Sequence, residues 1–487
     1  VNHTAVIRRR RRLPLTGGGP PPPPSLPLDS FTTVFRACSV ARRLRTAHTG
    51  PLLRVRRSGD SLERDIRYTA ADVLDSATLT GFCGINSIPN SENITTVAGW
   101  TLAAVTTALN GTANGDSIWR VGEDTTNAKH RIGTPSITAA AGQSFTVSYE
   151  VRAAGAPLFQ ILFGSTISLL RANFDLDNLT TNFNTTSASI IDLGDGWRRI
   201  TASVIVGSAG GTTFLQFIQS MSDGRDPAVY VGNTARAVDV RRASVQVGTT
   251  ASGYCPTTGT AITALQDGFV PTLYCQSGLA INMANATATQ QPGIVTAGVI
   301  NLLNGVPTLT FNGTSQHLVS TTTGLYAAGQ ATVVAALRGN TSTNSMLLSE
   351  SSSSSATPFY APMATSSTTA TTAAAVLRND GNSLILNAIT PLAPLAYNNT
   401  PRVLTSRDTG SQVEMFLDGT LAGSTSYARA GTLTVDRQGL GALVRPTVGN
   451  FWAGSVTELV AFTSALSTGD RQTYERNLGS FTGITVA

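Results

Sequence analysis

Ser144-Phe-Thr-Val-Ser-Tyr-Glu-Val151 and Trp197-Arg-Arg-Ile-Thr-Ala-Ser-Val-Ile-Val206 alternate apolar and polar side chains. A period of two puts every second side chain on one face of an extended strand, so each segment reads as half-buried β-structure. Phe159-Gln-Ile-Leu-Phe163, Thr213-Phe-Leu-Gln-Phe-Ile218 and Ala237-Val-Asp-Val-Arg-Arg-Ala-Ser-Val-Gln-Val247 repeat the pattern. Ala140-Ala-Gly-Gln143 and Gly194-Asp-Gly196 punctuate it as turns. Many strands with no helical period between them predict a β-sandwich of jelly-roll type over residues 87–249.

Outward from this module the chain stays β-rich. Thr308–Phe311, Ala331–Leu337, Val413–Leu417 and Val456–Phe462 read as strands, and Asp418-Gly419 as a hairpin turn. Pro51-Leu-Leu-Arg-Val-Arg-Arg57 alternates apolar and basic residues. The Ser351–Ser355 run reads as a surface loop, Thr69–Cys83 as a short helix, and Ser467–Leu478 as a late helix capped by Ser467.

The composition fits this class. Of 487 residues 41% are hydrophobic, enough for a core, while 13% are charged, about half the usual share. Residues 1–67 hold fourteen arginines against four acids, a balance of +10, so the remainder stands at −4 within the total of +6. Four cysteines are too few for a disulfide scaffold, and no CxxC pair occurs. His3, His48, His130 and His317 lie too far apart for an HExxH site, so no metal and no cofactor is expected. No apolar run approaches membrane-spanning length.

Residues 1–30 read as a basic, Pro/Gly-rich arm. Arg8, Arg9, Arg10, Arg11 and Arg12 repel one another, and the run from Pro20 to Pro24 favours polyproline II, a spacer of about 15 Å. No aromatic residues interleave the arginines, so nucleic acid is not the expected partner. The bland reading is a disordered tail; the sharper one is a docking arm that orders on an acidic groove of a partner.

Three stretches carry a family resemblance. Ala41-Arg-Arg-Leu-Arg-Thr-Ala-His-Thr-Gly-Pro-Leu-Leu-Arg-Val-Arg-Arg-Ser-Gly-Asp60, with Asp65-Ile66, resembles the opening of arabinofuranosidase-B-like domains, which also occur in phage virion proteins. Thr272-Leu-Tyr-Cys-Gln-Ser-Gly278 is similar to that domain's WYDQSG, and Asn304–Leu318 to its NGKPALRFDGTDDYL. The resemblance implies an all-β protein. A concanavalin-A-like sandwich would span residues 31–86 plus 250–487, with a carbohydrate-binding-like jelly roll inserted at 87–249. Cys275 stands where the motif has a carboxylate, and Asn312-Gly-Thr-Ser-Gln316 has lost every acid of FDGTDD. Glycoside hydrolysis needs two carboxyl groups, so an inherited active site is not expected.

Trp100, Trp119, Trp197, Tyr274 and Trp452 are the candidates for stacking on sugar rings, although a strand tryptophan is more often core. Glu350, Asp408, Glu414, Asp418 and Glu458 are the acids nearest the expected sandwich face, ordinarily exposed strand and turn residues. Cys275 reads as a small buried residue; Cys83 and Cys255 flank the insert and would pair only if the fold brings them within about 6 Å, and intracellular assembly favours free thiols. The resulting expectation is a non-enzymatic virion protein, assembled in the host cytoplasm. Arg8–Arg12 and Pro20–Pro24 would anchor it to tail, portal or capsid proteins, with homo-oligomeric sandwiches exposed to host-surface polysaccharide, as in a tail fibre or tailspike. The alternatives are a capsid decoration or head-fibre protein, and an arabinofuranosidase-like glycoside hydrolase.

Overall fold

The computed structural model describes residues 25–208, 210–225, 227–251, 253–387 and 392–487. The segments flanking the period-two module build one β-sandwich together. Its back sheet runs, strand by strand, Thr420–Ser426, Gln412–Leu417, Arg402–Asp408, Ala331–Gly339, Ala453–Phe462 and Val34–Ser39, all antiparallel. Its front sheet begins Glu63–Ile66, Leu53–Arg57, Gly268–Leu273, Met283–Ala284 and Leu318–Ser320. It continues through Arg437–Leu440, Met346–Ser351, Phe359–Thr365, Ala373–Arg378 and Leu384–Leu386.

Alternation sorts the side chains. Ala373, Ala375 and Leu377 enter the core between the sheets, whereas Ala374 and Val376 join Phe359, Ala361 and Leu443 in a small outer cluster. The back sheet buries its outer side under helix Thr468–Thr482, through Val334, Val403, Val460 and Phe462 against Tyr474 and Leu478. Ser467 caps that helix, its hydroxyl accepting from the Asp470 N–H at 3.1 Å, and Gly483 closes it at φ 67°. Among the described residues no such helix lies over the front sheet.

Residues 101–247 fold as two six-stranded antiparallel sheets. One runs Thr180–Phe183, Arg171–Asp175, Leu158–Phe163, Thr213–Phe217, Arg131–Gly133, Thr101–Ala103. The other runs Ser187–Gly194, Trp197–Ile205, Ser144–Ala154, Ala237–Val247, Asp116–Glu123, Val105–Ala113. Their facing sides share Val147, Tyr149, Phe159, Phe174, Ile200 and Val240, which is why the period of two was so clear there.

Where the chain passes between the sandwiches, polar side chains hold it. Asn86, fully buried, donates to Ala243 O at 3.1 Å and Cys255 O at 2.9 Å, and accepts from the N–H groups of Ile88 and Val245 at 3.1 Å. Gly81 and Gly253 meet backbone to backbone; a Cβ on Gly81 would lie 2.6 Å from the Gly253 carbonyl carbon. Arg57, also fully buried, binds Asp60 at 2.7 and 2.6 Å and donates to Phe82 O and Pro256 O.

Several expectations need correction. The helix expected over 69–83 is confined to Ser76–Phe82, because Tyr68 bridges Leu74 and Arg42 bridges Val73 before Asp75 caps it. The Ser351–Ser355 run is not wholly a surface loop: Ser351 ends a strand, and both it and Ser352 are buried. Residues 25–30, expected to belong to the arm, pack on the sandwich, with Leu28 buried in the cluster beneath the last helix. Cys83 and Cys255, whose pairing the sequence left open, are free and buried. Among the described residues no helix is long and apolar enough to cross a membrane.

Candidate functional site

The residues that carried the family resemblance act as staples. Gln276 accepts from the Leu44 N–H at 2.7 Å and donates to Arg42 O at 3.1 Å, tying the second motif to the first. The Tyr274 hydroxyl donates to Asp65 at 2.8 Å, and Asp65 holds Arg54. In the third motif Asn312 Oδ1 accepts from the N–H groups of Thr314, Ser315 and Gln316, so its carboxamide shapes the turn. Cys275 is buried, 3.0 Å from the Ser277 hydroxyl.

The acids expected to lie exposed are mostly enclosed. Glu350 accepts from the backbone N–H groups of Gly324, Leu325 and Tyr326, and Asp408 from the hydroxyls of Tyr360 and Tyr427. Glu458 takes Arg42 in a fork at 2.9 and 2.8 Å and Tyr474 at 2.7 Å. Glu414 pairs with Arg407 and Asp418 with Arg402. A carboxylate leaves water only when donors replace the water, and here they do.

The aromatic candidates divide. Trp452 is 0% exposed, between Phe311 and Tyr397, and Trp100 is 2% exposed, so neither presents a face to a sugar. Trp197 is 6% exposed, its ring covered by the guanidiniums of Arg241 at 4.0 Å and Arg152 at 4.9 Å. Trp119 and Tyr274 stay half-buried, Trp119 donating to Glu92 O at 3.0 Å and Tyr274 to Asp65 at 2.8 Å. Arg8–Arg12, Pro20 and Pro24 lie outside the described residues.

Two clefts remain. The joint encloses about 750 Å³ lined by Arg54, Arg64, Asp65, Glu92 and Asp116, among others. Its charges are matched: Asp116 holds Arg64 on one oxygen and Arg242 on the other at 2.6 Å, and Glu150 holds Arg242, Arg199 and Arg241. Burial pushes the Glu92 carboxyl up against hydrogen bonds from Tyr254 and the Ser117 N–H that pull it down.

The second cleft, of about 440 Å³, lies on the outer side of the front sheet. Its floor is the outer cluster of Met346, Phe359, Val376 and Leu443, and its rim carries Asn344, Asn382 and Asn450. Arg378 follows Ala374 and Val376 in the outward series of its strand and is the register partner of Phe359. Arg445 reaches the floor from the 441–450 loop, which a Leu443–Gly449 bridge closes. The hydroxyls of Ser349 and Ser351 tie this loop down by donating to Ala442 O and Val444 O. Its guanidinium lies 6.0 Å over the Phe359 ring.

Both arginines spend their hydrogen bonds on neutral oxygens: Arg378 on Asn382 O and Oδ1, Arg445 on Ala356 O. Burial, and then the charge of Arg378, draw the Arg445 guanidinium below its ordinary value. No Asp or Glu is among the residues lining this cleft. Sequence reasoning missed these residues. The available signal was an arginine in phase with the outward Ala374 and Val376, within a stretch from 351 to 379 that holds no acid.

No family model matches the chain, and no curated protein matches it. Among solved structures it is similar to the CBM40 of the Ruminococcus gnavus IT-sialidase (22% identity, 29% of this chain and 79% of that one, TM-score 0.25). It is also similar to the binding domain of botulinum neurotoxin DC in complex with SialylT (11%, 33% and 40%, TM-score 0.24). A third likeness is to Trypanosoma rangeli sialidase with the inhibitor DANA (11%, 76% and 52%, TM-score 0.30). This chain is a mostly β protein with antiparallel sheets, and scores this low carry no argument about its activity.

Proposed function

We propose that the protein is a glycan-binding adhesin without hydrolytic activity, carried on a bacteriophage particle. The observation that carries the binding reading is the open cleft at Phe359, with an apolar floor, carboxamides and guanidiniums at its edge, and no carboxylate among its lining residues. Such a surface holds a sugar through its C–H face and hydroxyls but supplies neither acid nor base for cleaving a glycosidic bond. Single sugar contacts are weak, so several copies on one particle would act through effective concentration. The virion station rests on the resemblance and on the basic, proline-rich segment at 8–24, which suits docking on an acidic groove of a tail, portal or capsid protein.

The test is a polysaccharide pull-down from host-type envelopes, read together with reducing-sugar release. Retention without release supports the reading, and release by the purified chain overturns it. For the station, particles assembled with Arg8–Arg12 changed to Gln should lack the protein; normal incorporation removes the anchor. Microscopy of wild-type particles separates a tail from a capsid position.

One observation favours hydrolysis instead: Glu92, in the joint cleft, has a carboxyl raised by burial, as a proton donor needs. Both its oxygens are already engaged, by Tyr254 and by the Ser117 N–H at 2.6 Å. Sugar release that vanishes in Glu92→Gln would establish this second reading.

A further inference from the structure

Two arginines converge on one floor with no carboxylate to meet them. Several enclosed guanidiniums of this chain pair with acids, as in Arg42–Glu458, Arg57–Asp60, Arg242–Asp116 and Arg407–Glu414, while the fully buried Arg36 is held by neutral oxygens of Gln438, Ile281 and Thr322. In the outer cleft Arg378 and Arg445 have only neutral partners, and among the described residues neither enters an ion pair. The Arg445 Nε is buried and has no hydrogen-bond partner. A buried donor left unsatisfied and two like charges near one another both raise the free energy of the empty site. An anion between the two guanidiniums offsets the like-charge repulsion.

Building on the glycan-binding reading, we propose that the Arg378–Phe359–Arg445 cleft is a site for a carboxylate-bearing sugar of the uronate or sialate type. The planar guanidinium forks match a carboxylate through paired N–H donors. The rim carboxamides of Asn344, Asn382 and Asn450 suit hydroxyls, and the floor at Phe359 and Val376 suits the C–H face of a ring. About 440 Å³ lies within the range of roughly 300–1,000 Å³ usual for small-ligand sites and accommodates one or two sugar residues of a longer chain. Arg445 fixes the end of the site because its loop is tied to the sheet by Ser349 and Ser351, so the cleft is formed before a ligand arrives.

The experiment is a titration of the full chain with hyaluronan, polygalacturonate, alginate and polysialic acid, with the carboxyl-reduced form of each, and with a sulfated neutral glucan. Arg8–Arg12 are changed to Gln in every sample, so that this basic run adds no polyanion binding. At least one carboxylated polymer should bind, with reduction weakening it tenfold or more. Arg378→Gln and Arg445→Gln should each weaken it at least fivefold, whereas Arg437→Gln, whose partner is the exposed Asp436, should change nothing.

Equal binding of the reduced and carboxylated forms overturns the inference and leaves the glycan reading standing. Unchanged binding by the Arg378→Gln/Arg445→Gln double variant does the same. Preference for the sulfated glucan overturns the carboxylate assignment. Failure to bind any polymer, neutral or acidic, brings down the glycan reading and this inference with it. The comparison of reduced and native polymers needs no cleft variant, so it decides the matter even if one fails to fold.

Discussion

Phe359 and Arg378 are direct cross-strand partners on the outer side of the front sheet, and Arg445 stands 6.0 Å over the same phenyl ring. The two arginines line one cleft with Phe359, and no acid is among its lining residues. The arrangement is costly for the empty protein, which is the usual sign that a group is kept for something other than stability. Arg445→Gln should melt at or above the wild-type temperature, because it removes a partly buried charge with only one neutral hydrogen-bond partner. A fall of more than about 2 kcal/mol in chemical denaturation would make Arg445 a structural residue instead.

Arg57, from the stretch that resembles arabinofuranosidase-B-like domains, should matter to folding. It is fully buried and fastens Asp60, Phe82 and Pro256 at the crossing between the sandwiches. Arg57→Ala should lose on the order of 3–5 kcal/mol by denaturant titration, since it strands a carboxylate and two carbonyls. A loss under about 1 kcal/mol would contradict the stapling role.

Glu458 sits in the back sheet, enclosed by Arg42 and Tyr474. Glu458→Gln should destabilise by roughly 3–5 kcal/mol through the uncompensated Arg42 charge, while the folded variant binds glycan as the wild type does. Altered binding at unchanged stability would reassign this acid to function.

Acid should loosen the 101–247 sandwich in a defined direction. Burial alone would raise the Asp239 carboxyl, but hydrogen bonds from Arg120 and Arg152 outweigh it and hold the group below its usual value of 3.8. A lowered folded value contributes stability that is fully present above the unfolded pKa and fades as pH falls through the folded one. Melting temperature should thus be steady near neutrality and drop below about pH 4. Asp239→Asn should melt lower at pH 7 and show a shallower acid limb; an unchanged limb would contradict this.

Burial pushes the Cys83 thiol up to about 12 and the Cys255 thiol up to about 11, each against the pull of Arg57. Neither should react with iodoacetamide until the protein unfolds, and reductant should not shift the melting temperature. Rapid labelling of the native protein, or a reductant-sensitive transition, would contradict the free, enclosed state.

The architecture was legible where one face of a strand meets a core. Ser144–Val151 alternates cleanly because its sandwich has a single core, Ala237–Val247 does so on either side of a bulge at Arg241–Ser244, and Asp418-Gly419 announced its turn, adopting φ of 51° and 85°. Strands such as Phe359–Thr365 and Ala373–Arg378 were missed because both their faces are buried, one in the main core and one in the outer cluster, which erases the alternation. The aromatic candidates misled for a related reason: Trp452 and Trp100 supply bulk that Ala- and Ser-rich strands lack. The cleft itself is assembled from a strand end and a loop some 67 residues apart, Arg378 and Arg445, and no local pattern joins them.

The central claim is that this protein holds an acidic glycan without cutting it. Size-exclusion chromatography with light scattering, run on the full chain after overnight incubation with the best-binding polymer of the carboxylated panel, tests both halves together. The account predicts co-elution of protein with polymer whose mass is unchanged. Shortened polymer, or protein eluting alone with every polymer offered, would contradict it.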